Sequence, residues 1–192
     1  MIRDELASKL EGKPINMKIV SSSAILALGA ATAFLALSVP MQADEKEKQD
    51  QDKAQIEMLE KRYNQAFNSK DVDGIMACYA PGTSLFVFDA IPPREYPSWE
   101  AYKKHWEGLF ACYPCPLSNT ISEQSITVVG SVAYGHSIQS GFFTRKDGSK
   151  VNSAVRVTDV YRKINGKWLI VHEHVSFPVD IDTGKADLLS KP

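Results

Sequence analysis

The chain is poor in cysteine and carries almost no excess charge. Its three cysteines, Cys78, Cys112 and Cys115, fall short of the four thiolates of an all-cysteine zinc site. A net charge of −1 argues against a nucleic-acid partner, because phosphate binding wants a basic face. No GxGxxG, Walker A or HExxH pattern occurs, so dinucleotide, P-loop and zinc-protease chemistry have no support here. No internal repeat and no Ser/His/Asp constellation stands out. No cofactor is implied by any motif.

What is present suffices for one domain. The chain has 192 residues, 44% of them hydrophobic, enough apolar material for a proper core. Met17-Lys18 opens an Ala/Leu/Ile/Val-rich run over 19–39, Pro40 breaks it, and Ala43 offers a small residue at a cleavage point. This is the pattern of a secretory signal peptide over 1–43, with translation starting at Met17. The alternative is an uncleaved anchor, since the run can just span a bilayer. Cleavage would make the protein periplasmic or secreted, with no remaining membrane contact. DEKEKQDQD, residues 44–52, reads as a solvated charged linker. The folded domain is expected over 53–180, and 181–192 as a loose polar tail.

Within the domain, Ile56, Leu59, Tyr63, Ala66 and Phe67 form one helical stripe, predicting a helix over 53–68. Asp71 caps a short second helix over 72–79, and Ser98 caps a third over 99–111. A strand over 85–90 lies between them. Four strands follow, over 122–129, 132–144, 151–164 and 167–177, separated by breaks short enough for hairpins. Helices first and strands last mean α+β, with helices on one face of an antiparallel meander.

The last hairpin is the most informative stretch, because ionisable residues sit among β-branched neighbours there. Two registers fit its Asn165-Gly166 turn. A three-residue loop with a glycine bulge sets Arg156 opposite His174 and Asp159 opposite Val171. A tight two-residue turn sets Asp159 opposite His172. The bulged register is the favoured one; it puts Arg156, Thr158, Trp168, Ile170, His172 and His174 on one face. Val157, Asp159, Tyr161, Leu169, Val171 and Glu173 then share the other.

YNQAFNSKDVDGIMACYA (63–80), FDAIPPREYPSWEAYKKHWEGL (88–109) and RVTDVYRKINGKWLIVHEHVSFP (156–178) carry a resemblance. Together they resemble the SnoaL-like and ketosteroid isomerase-like members of the nuclear transport factor 2-like superfamily, over about residues 52–180. The resemblance implies a cone: a strongly curved sheet wrapped by three helices around an apolar pocket. It also implies homodimers paired through the convex sheet face. Tyr63 matches the oxyanion-hole tyrosine of the isomerases, and Asp159 their second, protonated oxyanion donor. That enzyme is the standard worked case of a raised carboxyl pKa. Their catalytic carboxylate falls on Val87 here, and Asp89, two residues on, shares its strand face. Asp89 is therefore the candidate base, on a shifted register.

Each candidate has a plainer role. Tyr63 fits a core tyrosine, Asp159 a partnered strand residue, and Asp89 a loop-start residue bonding local N–H groups. Trp106, Tyr161, Val171, Arg156 and His174 are candidate ligand contacts, with the Arg156/His174 row also placed to meet a partner subunit. His172 and His174 lack a third ligand, so a polar cluster fits better than a metal site. Cys112 and Cys115 follow a helix C-terminus, the wrong end for a redox CxxC, leaving a local disulfide or a free pair. Cys78 fits a small buried hydrophobe.

Two functions follow. One is an isomerase, dehydratase or cyclase acting on a small apolar carbonyl compound without a cofactor. The other is a non-catalytic binding or assembly domain. WLIVHEHVS, residues 168–176, is similar to the end of the calcium/calmodulin-dependent kinase association domain, which assembles rather than catalyses.

Overall fold

Ile56, Leu59, Tyr63, Ala66 and Phe67, spaced for one face of a helix, are all buried on one face of α1 (Ala31–Ser69) in a computed structural model. The structure describes residues 31–191. The leader reading of 1–43 rests on residues 1–30, which lie outside the described residues, and on the 31–42 run. Among the described residues no helix is long and apolar enough to cross a membrane. The unit from Ala43 to Pro192 carries everything that follows.

The charged residues 44–52 are helical, where a linker was expected. Glu, Lys and Gln are strong helix formers, so the solvated run extends α1 at little cost. Residues 44–51 are exposed, but Asp52 is only 3% exposed. Its Oδ1 accepts from Trp168 Nε1–H at 3.0 Å and from the Lys163 ammonium, fastening α1 to the last hairpin.

α2 (Val72–Met76) is capped as expected: Asp71 Oδ1 accepts from Gly74 N–H at 2.9 Å. α3 (Trp99–Cys112) is capped by Ser98, whose Oγ accepts from Ala101 N–H at 3.3 Å. β1 (Phe86–Phe88) precedes it. β2 (Leu117–Val129), β3 (Val132–Thr144), β4 (Lys150–Ile164) and β5 (Lys167–Ser176) complete a sheet of order β1-β5-β4-β3-β2. β2 to β5 are the expected antiparallel meander. β1 joins β5 in parallel, so the sheet is mixed. The long connection through α3 lets the chain leave β1 and return at the far edge of the sheet.

The last hairpin follows neither expected register. Asn165 and Gly166 both have positive φ, 50° and 79°, which makes the tight primed turn and pairs Ile164 with Lys167. The pairing then slips by one: Tyr161 faces Ile170, but Val160 faces His172. Val171 is the extra residue of a β-bulge. Beyond it Asp159 stands opposite Glu173, Thr158 opposite His174 and Arg156 opposite Ser176. The bulge also resets the alternation of β5. Trp168 and Ile170 are buried on the same side as Asp159 and Tyr161, and the inward set then resumes at Glu173.

The tail beyond 180 is tied down where a loose segment was expected. Val179 bridges Ala186, and Ala154 N–H donates to Leu188 O at 2.7 Å, because the edge of β4 beside it has backbone groups to satisfy. All three cysteines are free thiols. Cys78 is buried, and burial pushes its thiol up to about 11.

Candidate active site

The stripe of α3 and the stripe of α1 do not close completely over the sheet. Between them lies a cavity of about 260 Å³, walled mainly by apolar and aromatic side chains. Tyr63 and Phe67 come from α1, Trp106 and Leu109 from α3, and Phe143 and Val157 from the sheet. Edge-to-face contacts lock this wall: Phe67 against Trp106 at 5.6 Å and Tyr102 against Trp106 at 5.5 Å. Leu188 of the tail lines the cavity as well.

One carboxyl group reaches this cavity from the sheet, that of Glu173. It is 2% exposed, on the inward side of β5 just past the bulge. Tyr102 O–H donates to its Oε1 at 2.7 Å and Tyr79 O–H to its Oε2 at 2.8 Å. Burial penalises the carboxylate and pushes its pKa up to about 7, while the two phenols restrain the rise. Asp159 lies directly across the ladder on β4 and is 3% exposed. Burial, with the nearby charges of Glu60 and Glu173, holds Asp159 protonated well above the usual carboxylate range. Its Oδ1 is buried without a hydrogen-bond partner in the protein. Tyr161 O–H bridges onward, 3.4 Å from Asp159 Oδ2 and 2.9 Å from Glu60 Oε1. Glu60, on the buried face of α1, is also pushed up to about 7 by burial. Tyr161 thus links Glu60 to Asp159, and Asp159 stands across the ladder from Glu173, so three carboxyls are buried near one another.

A second polar group stands at the rim. Asp89 Oδ2 lies 3.1 Å from His105 Nε2, and His105 Nδ1 lies 2.7 Å from Tyr96 Oη. A carboxylate can only accept, so His105 carries its hydrogen on Nε2 and receives the Tyr96 phenol at Nδ1. Asp89 and His105 both line the cavity. Trp106 adds one unmet donor: its Nε1–H is buried without a partner in the protein.

Of the residues singled out from sequence, Tyr63, Asp89 and Trp106 line the cavity. Burial and the surrounding acids hold the Tyr63 phenol protonated. Asp159 and Tyr161 are buried one layer behind, joined to the cavity through Glu173. Val171, Arg156 and His174 do not line it. Val171 is consumed by the bulge, and Arg156 and His174 fall on the opposite side of the sheet, where both are exposed. Glu173, His105, Glu60, Tyr79 and Tyr102 were not singled out as site residues. Two had a legible signal: Glu60 lies on the apolar stripe of α1 between Ile56 and Tyr63, and His105 lies three residues from Tyr102 on that of α3. Among the described residues no group of three His, Cys, Asp or Glu is arranged to hold a metal ion.

Residues 56–180 match the model of the SnoaL-like domain. An NTF2-like protein of unknown function from Pseudomonas putida is 30% identical, with a TM-score of 0.66 over 72% of this chain and 95% of that one. An NTF2-like superfamily protein from Salmonella enterica serovar Typhimurium is 19% identical, with a TM-score of 0.62 over 70% of this chain and 96% of that one. A candidate scytalone dehydratase from Novosphingobium aromaticivorans is 17% identical, with a TM-score of 0.59 over 73% and 95%. No curated protein matches the sequence.

Proposed function

The chain belongs to the SnoaL-like domain family, and from that premise we propose that it is an acid–base enzyme of isomerase, dehydratase or cyclase type. Its substrate is a small, largely apolar compound with a carbonyl group. The observation that carries this reading is Glu173, a carboxyl on the wall of an apolar cavity with its pKa pushed up to about 7. A group that ionises near neutral pH can take a proton and return it within one turnover. In the proposed step the Glu173 carboxylate removes a proton from the carbon beside the carbonyl. The C–H electron pair becomes the C=C bond of an enol or enolate, and the carbonyl π pair moves onto oxygen. The Trp106 Nε1–H and the Tyr63 phenol are the donors available to that oxygen. Return of the proton at another carbon isomerises the substrate; departure of a β-hydroxyl as water, taking the proton that Glu173 holds, dehydrates it. Asp159, held protonated, steadies Glu173 from behind.

The experiment is solvent deuterium exchange. A panel of cyclic and aromatic ketones is incubated with the protein in D2O and read by proton NMR. Catalysed exchange beside the carbonyl, reduced about a hundredfold or more by Glu173→Gln, supports the proposal. One observation favours a second reading: both Glu173 oxygens already accept phenol hydrogen bonds, as a purely structural carboxyl would. A panel member that binds without any exchange would support that non-catalytic binding role.

Export and pairing of two copies through the outer sheet face complete the proposal. The leader-like pattern of 17–43 supports the first. The second is supported by a cluster of Phe86, Phe88, His172 and His174 on the side of the sheet away from the helices. N-terminal sequencing of the protein from cells and sedimentation equilibrium test these two points.

A further inference from the structure

The inner cavity adjoins a second space. Ile91, His105, Leu109 and Tyr113 line both it and an outer groove of about 870 Å³. The inner chamber is small. At about 30 Å³ per water, its 260 Å³ amounts to about nine waters, room for one ring and a few attached atoms. A longer molecule that seats a ring against Glu173 can extend past these shared residues into the groove.

The two spaces differ in charge. The inner end is faced by Glu173, with Asp159 and Glu60 behind it, and among the described residues no lysine or arginine lines the cavity. A carboxylate would find no cationic partner there. The outer groove carries Lys104 from α3 and Arg145 and Lys146 from the turn after β3. Its one acid, Asp147, is turned into its own loop, accepting from Ser149 N–H at 2.9 Å and Ser149 O–H at 2.7 Å. Among the described residues none of the three cations is in an ion pair. His105 at the shared rim faces inward to Asp89.

We propose that this groove is a binding subsite for a carboxylate, and that the substrate is an amphipathic acid. Its neutral, ring-bearing end enters the inner cavity and its carboxylate rests against Lys104, Arg145 and Lys146. The unlike linings of the two chambers set the direction of binding: the inner one offers the carboxylate no cation and the basic mouth retains it. The proposal rests on the cavity being a ligand site, as argued above, and it adds the class of molecule.

The test is calorimetric titration of the full chain with phenylalkanoates of increasing tail length and with the matching phenylalkanols. It is run at low and high salt, on the wild type and on a Lys104→Glu/Arg145→Glu/Lys146→Glu variant. All three positions are exposed, so the variant keeps its fold, which circular dichroism checks. The expected result is about tenfold tighter binding of the acids than of the alcohols once the tail spans the rim. High salt and the triple variant should both abolish that preference and leave the alcohols unchanged. Equal binding of acids and alcohols, insensitive to salt and to the variant, overturns the carboxylate subsite and leaves the cavity reading intact. Failure of every probe to bind overturns both.

Discussion

Asp159 and Glu173 stand directly opposite one another on β4 and β5, and only Glu173 reaches the cavity. Burial and the neighbouring carboxyls of Glu60 and Glu173 hold Asp159 protonated, so a neutral acid stands across the ladder from Glu173. Asp159→Asn keeps a neutral donor facing Glu173 and should leave the titration of Glu173 nearly unchanged. Asp159→Leu removes the donor and should raise it. Carbon NMR of labelled glutamate side chains measures both; a large shift in the Asn variant would contradict a neutral Asp159.

The buried acids also set how stability varies with pH. Glu60 and Glu173, each pushed up to about 7 by burial, bind protons more tightly in the folded than in the unfolded chain. Asp159, raised further, does the same. Their contribution is therefore full below the ordinary carboxylate range and is lost as pH rises toward 7 and beyond. We expect the unfolding free energy from urea denaturation to fall from pH 5 to pH 8, by about a few kcal/mol in total. Glu60→Gln should flatten that slope. A protein more stable at pH 8 than at pH 5, in wild type and variant alike, would show that these carboxyls ionise normally.

Asp52 joins α1 to the hairpin, so Asp52→Ala should destabilise although the residue precedes the matched domain. It leaves the buried Trp168 N–H and the Lys163 ammonium without their acceptor. The expected loss is about 1–3 kcal/mol in urea denaturation. No change in midpoint would mean that the charged start of α1 is not anchored.

Gly141 lets β2 and β3 approach beside the cavity. A Cβ there would sit 1.8 Å from Ser118 O, a backbone atom that cannot turn aside. Gly141→Ala should cost about 3 kcal/mol by forcing the strands apart. Thermal melting measures it, and an unperturbed Tm would contradict the close pairing.

How far the sequence reached depends on what each feature rests on. The helix stripes, the Asp71 and Ser98 caps and the meander rest on local patterns, and they are where the sequence placed them. The parallel pairing of β1 with β5 rests on contacts between distant segments and has no local signature. The bulge at Val171 is the same kind of feature: Asn165-Gly166 fixes the turn, but nothing nearby marks where the ladder slips. That slip made Glu173, rather than Val171 or His172, the cross-strand partner of Asp159, and it brought Trp168 and Ile170 onto the inward side. The favoured register already set Glu173 on the face of Asp159, but no local pattern marked it as a cavity residue. Its phenol partners, Tyr79 and Tyr102, come from segments 94 and 71 residues away in the chain.

The central claim is that Glu173 ionises near neutral pH inside an apolar cavity. The direct measurement is a pH titration of the side-chain carboxyl carbons of glutamate in the labelled protein, with the Glu173 resonance assigned by its loss in Glu173→Gln. The account predicts a Glu173 midpoint of about 7. A midpoint in the ordinary carboxylate range would contradict it.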